Sequence, residues 1–159
     1  MANRNLPNGF RAVEMLGGGQ TFPHVPAKLG SNISLNPGDA VFMLTTGKLR
    51  LALVSDTQIF PVCDSKVLGA VGVEPEILVI PALPNIVFEA QYGTTATTLN
   101  NVGASHDIGG ATGVQVLSST SAGGAPARLL GLSPAVDNAL GQYMRVRFVW
   151  QKSQFTGQA

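Results

Sequence analysis

Short stretches of apolar and β-branched residues, separated by turn residues, recur along most of the chain. In the last of them, 143–151, apolar side chains take the even-numbered positions from Met144 to Trp150, and two arginines lie among the intervening positions. Successive side chains of a β-strand point to opposite faces, so this alternation predicts a strand with one buried face and one polar face. Residues 85–92 alternate in the same way and predict a second strand of this kind.

Nine segments have the composition of strands and are bounded by turn residues. They are 40–44, 49–54, 58–62, 66–73, 76–80, 85–92, 114–117, 127–132 and 143–151. A helical turn is predicted only for 135–142, because a proline precedes it and a glycine lies near its end. Many short strands without a helix of ordinary length predict an all-β fold. A closed or nearly closed antiparallel barrel or sandwich is the economical arrangement, because closure removes the unpaired edges that invite aggregation. The predicted fold is a single antiparallel β-barrel or β-tulip-like domain.

Two parts of the chain lack this pattern. Residues 1–38 contain a triglycine and four prolines, and they show neither strand nor helix periodicity. They are predicted to form an extended N-terminal arm that is dispensable for folding, attached to a β-barrel domain of residues 39–159. Within that domain, residues 93–113 are rich in Thr, Asn, Gly and Ala. They are predicted to form a long exposed loop, a kind of segment that is often functional.

Charged residues are unusually scarce. They make up 12% of the chain, against about a quarter in ordinary soluble proteins, and ten Lys and Arg against nine Asp and Glu leave a net charge of +1. This balance argues against nucleic acid and against an anionic membrane as partners. No stretch is apolar for long enough to predict a membrane span or a signal peptide. A single cysteine, Cys63, cannot form an internal disulfide.

Residues that could carry chemistry are few and scattered. The histidines are His24 and His106, and the thiol is that of Cys63. His106 and Asp107 are adjacent, but a transition-metal site needs three or four ligands, so a solvated loop histidine is the simpler interpretation. Cys63 is most simply a small buried apolar residue. The sequence therefore predicts no catalytic residue, no metal site and no cofactor, and thus a protein that is not an enzyme.

Three large apolar residues of the predicted arm, Phe10, Leu16 and Phe22, have no periodic neighbours. They could pack back over the end of the barrel or onto a partner protein, and the sequence favours neither interpretation. Together with Arg4 and Arg11 they are the candidate partner-contact residues. Each apolar side chain would contribute roughly 1.5 to 3 kcal/mol if fully buried on a partner, whereas an exposed ion pair contributes less than about 1 kcal/mol.

Several short motifs follow one another in a defined order. They are Met1-Ala2-Asn3, Pro7-Asn8-Gly9-Phe10-Arg11, Pro37-Gly38-Asp39, Val67-Leu68-Gly69-Ala70-Val71-Gly72-Val73, Asn85-Ile86-Val87-Phe88-Glu89-Ala90-Gln91, Leu117-Ser118-Ser119-Thr120, Leu129-Leu130-Gly131-Leu132, Asp137-Asn138 and Arg145-Val146-Arg147. In this order they resemble a family of head decoration, or cement, proteins of tailed bacteriophages. The resemblance spans most of the chain and supplies no catalytic residues.

The resemblance implies a β-barrel or β-tulip-like protein that binds the outer surface of an assembled capsid and stabilises it against internal pressure. Its expected partners are the major capsid protein and further copies of itself in a homotrimer. Its expected location is the virion, on the outer capsid surface, after synthesis in the cytoplasm of the host bacterium. The alternative is a virion carbohydrate- or receptor-binding β-barrel module. That alternative needs an exposed aromatic cluster, whereas most of the aromatic residues occupy positions typical of a core.

Overall fold

The computed structural model describes residues 3–5, 7–19, 21–93, 102–118 and 125–154. Within these ranges the chain forms twelve strands and no helix, so the predicted all-β fold class is confirmed. The strands are β1 (Arg11–Met15), β2 (Val25–Leu29), β3 (Val41–Met43), β4 (Lys48–Leu51), β5 (Pro61–Cys63), β6 (Glu76–Pro81), β7 (Ile86–Gln91), β8 (Ser105–His106), β9 (Ile108–Gly109), β10 (Val116–Leu117), β11 (Ala127–Leu132) and β12 (Arg145–Trp150).

Five strands form a nearly closed barrel in the order β3, β4, β2, β6, β5. An antiparallel bridge between Ala40 and Val62 joins the two ends of this order, and the N–H of Phe60 donates to the carbonyl of Val41 at 3.1 Å. The β-barrel expected from the sequence is therefore present. The pairing of β2 with β4 is parallel, so the barrel sheet is mixed rather than wholly antiparallel.

A second sheet, in the order β1, β7, β12, β11, β8, is antiparallel throughout and shares a core with the outside of the barrel. The short pair β9 and β10 adjoins it through a bridge between Tyr92 and Leu117. The barrel strands lie within residues 25–81, so the predicted extent of the barrel, 39–159, is wrong. Alternating strands have the same pattern in either sheet, and the pattern alone cannot divide them between two.

Apolar side chains form two clusters, one on each side of the barrel wall. The cluster inside the barrel contains Leu29, Leu35, Val41, Leu49, Phe60, Cys63, Ile77 and Val79. The cluster between the barrel and the second sheet is centred on the rings of Phe10, Phe88, Phe148 and Trp150. The apolar faces of β7 and β12 lie in this second cluster, so the alternation predicted for these strands is confirmed.

Residues 1–38 do not form an extended arm, and this prediction is wrong. β1 pairs with β7 in the second sheet, and β2 lies between β4 and β6 in the barrel. The sequence of β2 hides its role because Pro26 interrupts an otherwise ordinary strand pattern, and proline is rare in central strands since it lacks an N–H. Here Pro26 is tolerated because the pairing of β2 with β4 begins beyond it, at Lys28.

The predicted loop 93–113 is also only partly a loop. Residues 94–101 lie outside the described ranges, but β8 and β9 fall within 93–113 and pair with β11 and β10. His106 and Ile108 on these strands are buried, so the prediction of a solvated histidine is wrong. Strands of two residues are too short to show a period of two, which explains why the sequence pattern did not reveal them.

Two further local predictions are wrong. Residues 66–73 contain no strand and make one bridge, between Val67 and Leu35. Residues 135–142 form turns and no helix. The side chain of Asn138 donates to the carbonyls of Ser133 and Arg145, each at 2.8 Å, and accepts from the Arg145 N–H at 2.7 Å. These bonds hold the turn in place of a helical ladder.

Candidate partner-binding surfaces

Phe10, the first candidate contact residue, lies in the core of its own molecule. It is 1% exposed, and its ring meets those of Phe148 and Trp150 edge-on at centroid distances of 5.6 and 5.2 Å. For this residue the structure decides between the two interpretations that the sequence left open. Phe10 packs against its own sheet, and its prediction as a partner contact is wrong.

Arg11 and Phe22, by contrast, line an open groove of about 390 Å³ between the start of β1 and the barrel. Phe22 is half-buried, and it packs against the edge of the core. On the rim, His24 Nε2 lies 3.1 Å from Asp64 Oδ2. The groove therefore combines an apolar wall with charged groups at its rim.

Cys63 lies at the base of this groove, with its side chain buried in the barrel. Its thiol donates to the carbonyl of Ser65 at 2.9 Å. Burial raises the pKa of the Cys63 thiol, and the thiol therefore stays protonated at neutral pH. Because the thiolate is the reactive form, this cysteine is a packing residue, as the sequence suggested.

The remaining two candidates do not line that groove. Leu16 is exposed in the turn after β1, where its N–H donates to the carbonyl of Asn85 at 2.7 Å. Arg4 is exposed and lines a smaller depression together with Asp137 and Arg145. The structure thus does not gather the five candidate residues into one surface.

In the described part of the chain, the segment 67–73, which we call the apolar segment, exposes several large apolar side chains on one short stretch. Leu68, Val71 and Val73 are 76%, 85% and 51% exposed. The sequence pattern did not reveal this surface, because a continuous apolar stretch resembles a buried strand. The signal that could have revealed it is the pair of glycines, Gly69 and Gly72, within the stretch, since glycine weakens a strand interior.

Backbone hydrogen bonds fix the apolar segment along residues 31–35. The N–H groups of Leu35 and Val67 each donate to the carbonyl of the other, at 2.9 and 2.8 Å. Gly69 and Gly72 donate to the hydroxyls of Ser34 and Ser31, at 3.0 and 2.8 Å. The close approach at Gly69, where an added Cβ would lie 2.5 Å from the Ile33 nitrogen, requires a glycine there. The apolar side chains are therefore presented from an anchored backbone.

The apolar segment carries no charge, whereas the outer face of the second sheet carries several. On that sheet Arg147 pairs with Glu14 at 3.1 Å, and Arg145 pairs with Asp137. Glu74, the acidic residue that follows the apolar segment, pairs with Lys48 at 2.5 Å. The apolar segment is therefore an uncharged stretch, whereas ion pairs occur both on the second sheet and beside the barrel strand β4.

The described residues contain no group of three or more His, Cys, Asp and Glu side chains that could hold a metal ion. Nor does any helix in that part of the chain have the length and apolar character of a membrane span. Comparison of the sequence with models of protein families and with curated proteins finds no match. The resemblance to decoration proteins therefore stays a prediction that depends on the order of its motifs.

Proposed function

We propose that this chain is a structural, non-enzymatic protein that binds the outer surface of an assembled phage head and stabilises it. The observation that carries the proposal is the apolar segment 67–73, which is uncharged, exposed and anchored. The same segment is one of the motifs that resemble the decoration proteins. In this proposal its partner is the major capsid protein.

The energetics favour an apolar contact over an ionic one. Leu68, Val71 and Val73 would each contribute up to roughly 1.5 to 3 kcal/mol when fully buried on the capsid. Exposed ion pairs on the second sheet contribute less than about 1 kcal/mol each and are screened by salt. Many copies on one shell add their effects through multivalency, so that modest affinity at each position is sufficient.

The test uses heads of the phage whose genome encodes the chain, stripped of this protein and mixed with the purified chain. Val71→Asp places a charge in the apolar segment and should reduce saturable co-sedimentation with heads at least tenfold. The matched control is Val136→Asp, because Val136 is 97% exposed and lies between β11 and β12 of the second sheet, outside the apolar segment. This control should bind like the unmodified chain. Absence of saturable binding by the unmodified chain would contradict the proposal.

A carbohydrate-binding role in the virion is the second candidate function. The observation that favours it is a pocket on the second sheet that is lined by both tyrosines of the chain, Tyr92 and Tyr143. The sequence pattern predicts that most aromatic residues lie in the core, and it predicts no exposed aromatic cluster. Tyr143, however, is only half-buried.

A further inference from the structure

We infer that the chain binds a neutral carbohydrate, with one pyranose unit held in the pocket at the end of β7. The pocket has a volume of about 450 Å³, within the range of about 300 to 1,000 Å³ that is usual for small-molecule sites. In the described part of the chain it is lined by Asn5, Pro7, Gln91, Tyr92, Gly93, Val116, Gln142 and Tyr143. The inference rests on the second candidate function and not on capsid binding, so either can fail alone.

Pairing between strands brings the pocket together from distant parts of the chain. Gln91 ends β7, and it lies opposite Arg145 at the start of β12. This pairing places Tyr143, just before β12, beside Tyr92, just after β7. A bridge between Tyr92 and Leu117 brings β10 to the same place. The site therefore depends on the register of the second sheet.

The charge of the lining selects the class of ligand. None of the eight lining residues carries a charge, so the lining offers no ionic partner to a charged ligand group. Asn5, Gln91 and Gln142 have amide side chains, which both donate and accept hydrogen bonds. Sugar hydroxyls also do both, so amides and hydroxyls are matched partners. A neutral polyhydroxy compound fits this lining better than an anion or a cation does.

The apolar part of the lining matches the other face of a sugar ring. The axial C–H groups of a pyranose form an apolar patch, and a tyrosine offers an apolar ring with a polar tip. Tyr143, Val116 and Pro7 supply apolar surface, while the amides lie among them. A ligand with both apolar C–H groups and hydroxyls is therefore favoured over a purely apolar one.

The walls of the pocket are held in position by hydrogen bonds. The Asn3 side chain donates to the carbonyls of Ala139 and Gln142, at 2.7 and 2.9 Å, and accepts from the Ala139 N–H at 2.9 Å. The Gln91 amide donates to Asn5 Oδ1 at 3.1 Å. The N-terminal segment is thus tied to the turn that carries Tyr143. A prearranged site loses less free energy on ordering when the ligand binds.

Tyr143 itself has an unusual backbone conformation. Its φ is 60°, in the left-handed region that a residue with a bulky side chain rarely adopts. Strained residues of this kind cost about 1 to 3 kcal/mol and occur most often at functional sites. The conformation also makes a clean variant available, because glycine adopts the same φ without strain and lacks the ring.

The experiment measures binding of the full chain to a panel of neutral oligosaccharides of glucose, galactose, mannose, rhamnose and N-acetylglucosamine, by saturation-transfer NMR and titration calorimetry. Oligomers of alginate serve as the charged comparison. At least one neutral saccharide should bind, and alginate should bind at least tenfold more weakly. Tyr143→Gly and, separately, Gln142→Ala should each weaken the binding at least tenfold. Gln142 is exposed, so its variant tests the site even if the glycine variant fails to fold.

Val71→Asp is the control that separates the two functions. It should keep the saccharide binding and lose the binding to heads, whereas Tyr143→Gly should do the reverse. Failure of every saccharide in the panel to bind, or binding that neither pocket variant weakens, would overturn the inference. Stronger binding of alginate than of the neutral oligomers would also overturn it, because the uncharged lining would then not be what selects the ligand.

Discussion

At the scale of single residues, two glycines hold the start of β1 against the barrel. Gly9 and Gly38 have φ values of 69° and 89°, and the Phe10 N–H donates to the Gly38 carbonyl at 2.7 Å. A Cβ added at Gly38 would lie 2.3 Å from the carbonyl oxygen of Asn8. Backbone stands on both sides of this contact, so no side chain can move aside. The burial of Phe10 therefore depends on these glycines.

We predict that Gly38→Ala lowers the free energy of unfolding by about 2 to 5 kcal/mol. The left-handed conformation accounts for about 1 to 2 kcal/mol of this, and the overlap with the Asn8 backbone adds the cost of overpacking, typically about 1 to 3 kcal/mol. Urea denaturation followed by tryptophan fluorescence measures the change. The control is Gly47→Ala, because Gly47 has φ 75° and no atom within 4 Å of an added Cβ. Equal losses in the two variants would show that the close approach is unimportant.

At the scale of elements, β2 decides whether the N-terminal region is part of the fold. Leu29 on β2 is completely buried inside the barrel, and Lys28 beside it is exposed. We predict that Leu29→Ala lowers the free energy of unfolding by about 2 to 5 kcal/mol, as expected for a truncated core leucine. Lys28→Ala should change it by less than about 0.5 kcal/mol. Urea denaturation of both variants is the measurement.

If residues 1–38 were a dispensable arm, Leu29→Ala would instead change the free energy of unfolding as little as Lys28→Ala does. Removal of residues 1–30 is a second test of whether β2 is part of the fold. It deletes β1 and β2 and leaves β4 and β6 without the strand between them. The truncated chain should therefore not unfold cooperatively. A truncated chain that kept the far-ultraviolet circular dichroism and cooperative unfolding of the full chain would contradict the position of β2.

At the scale of the whole molecule, low charge and the exposed apolar segment determine how the proposed binding to phage heads should depend on salt. The net charge is +1, and raising salt from about 0.1 to 1 M shortens the screening length from about 10 to 3 Å. We predict that this change releases little of the protein from intact heads. Clean release at 1 M salt would show that ion pairs, and not apolar contacts, hold the protein.

The resemblance to decoration proteins predicts a homotrimer. Light scattering should therefore find three times the monomer mass of 16.5 kDa.

Local properties of the sequence determined the class of fold and the faces of the principal strands. The alternation on β7 and β12 and the turn at Asn36–Asp39, where Gly38 has a positive φ, depend on neighbouring residues only. The period of two and the allowed φ values act within a few residues of the chain. A sequence pattern can therefore reveal them without knowledge of the partner strand.

Only the tertiary structure decided which strands pair and which surfaces remain uncovered. β2 belongs to the barrel because β4 and β6 lie on either side of it. The sequence pattern did not predict β2, because Pro26 interrupts it. The apolar segment 67–73 is exposed because it lies along residues 31–35 instead of within a sheet. Tyr92 and Tyr143 share a pocket because β7 and β12 are neighbours. Contacts of this kind join residues far apart in the chain. The period of two is the same in every strand, so no local pattern encodes which strands become neighbours.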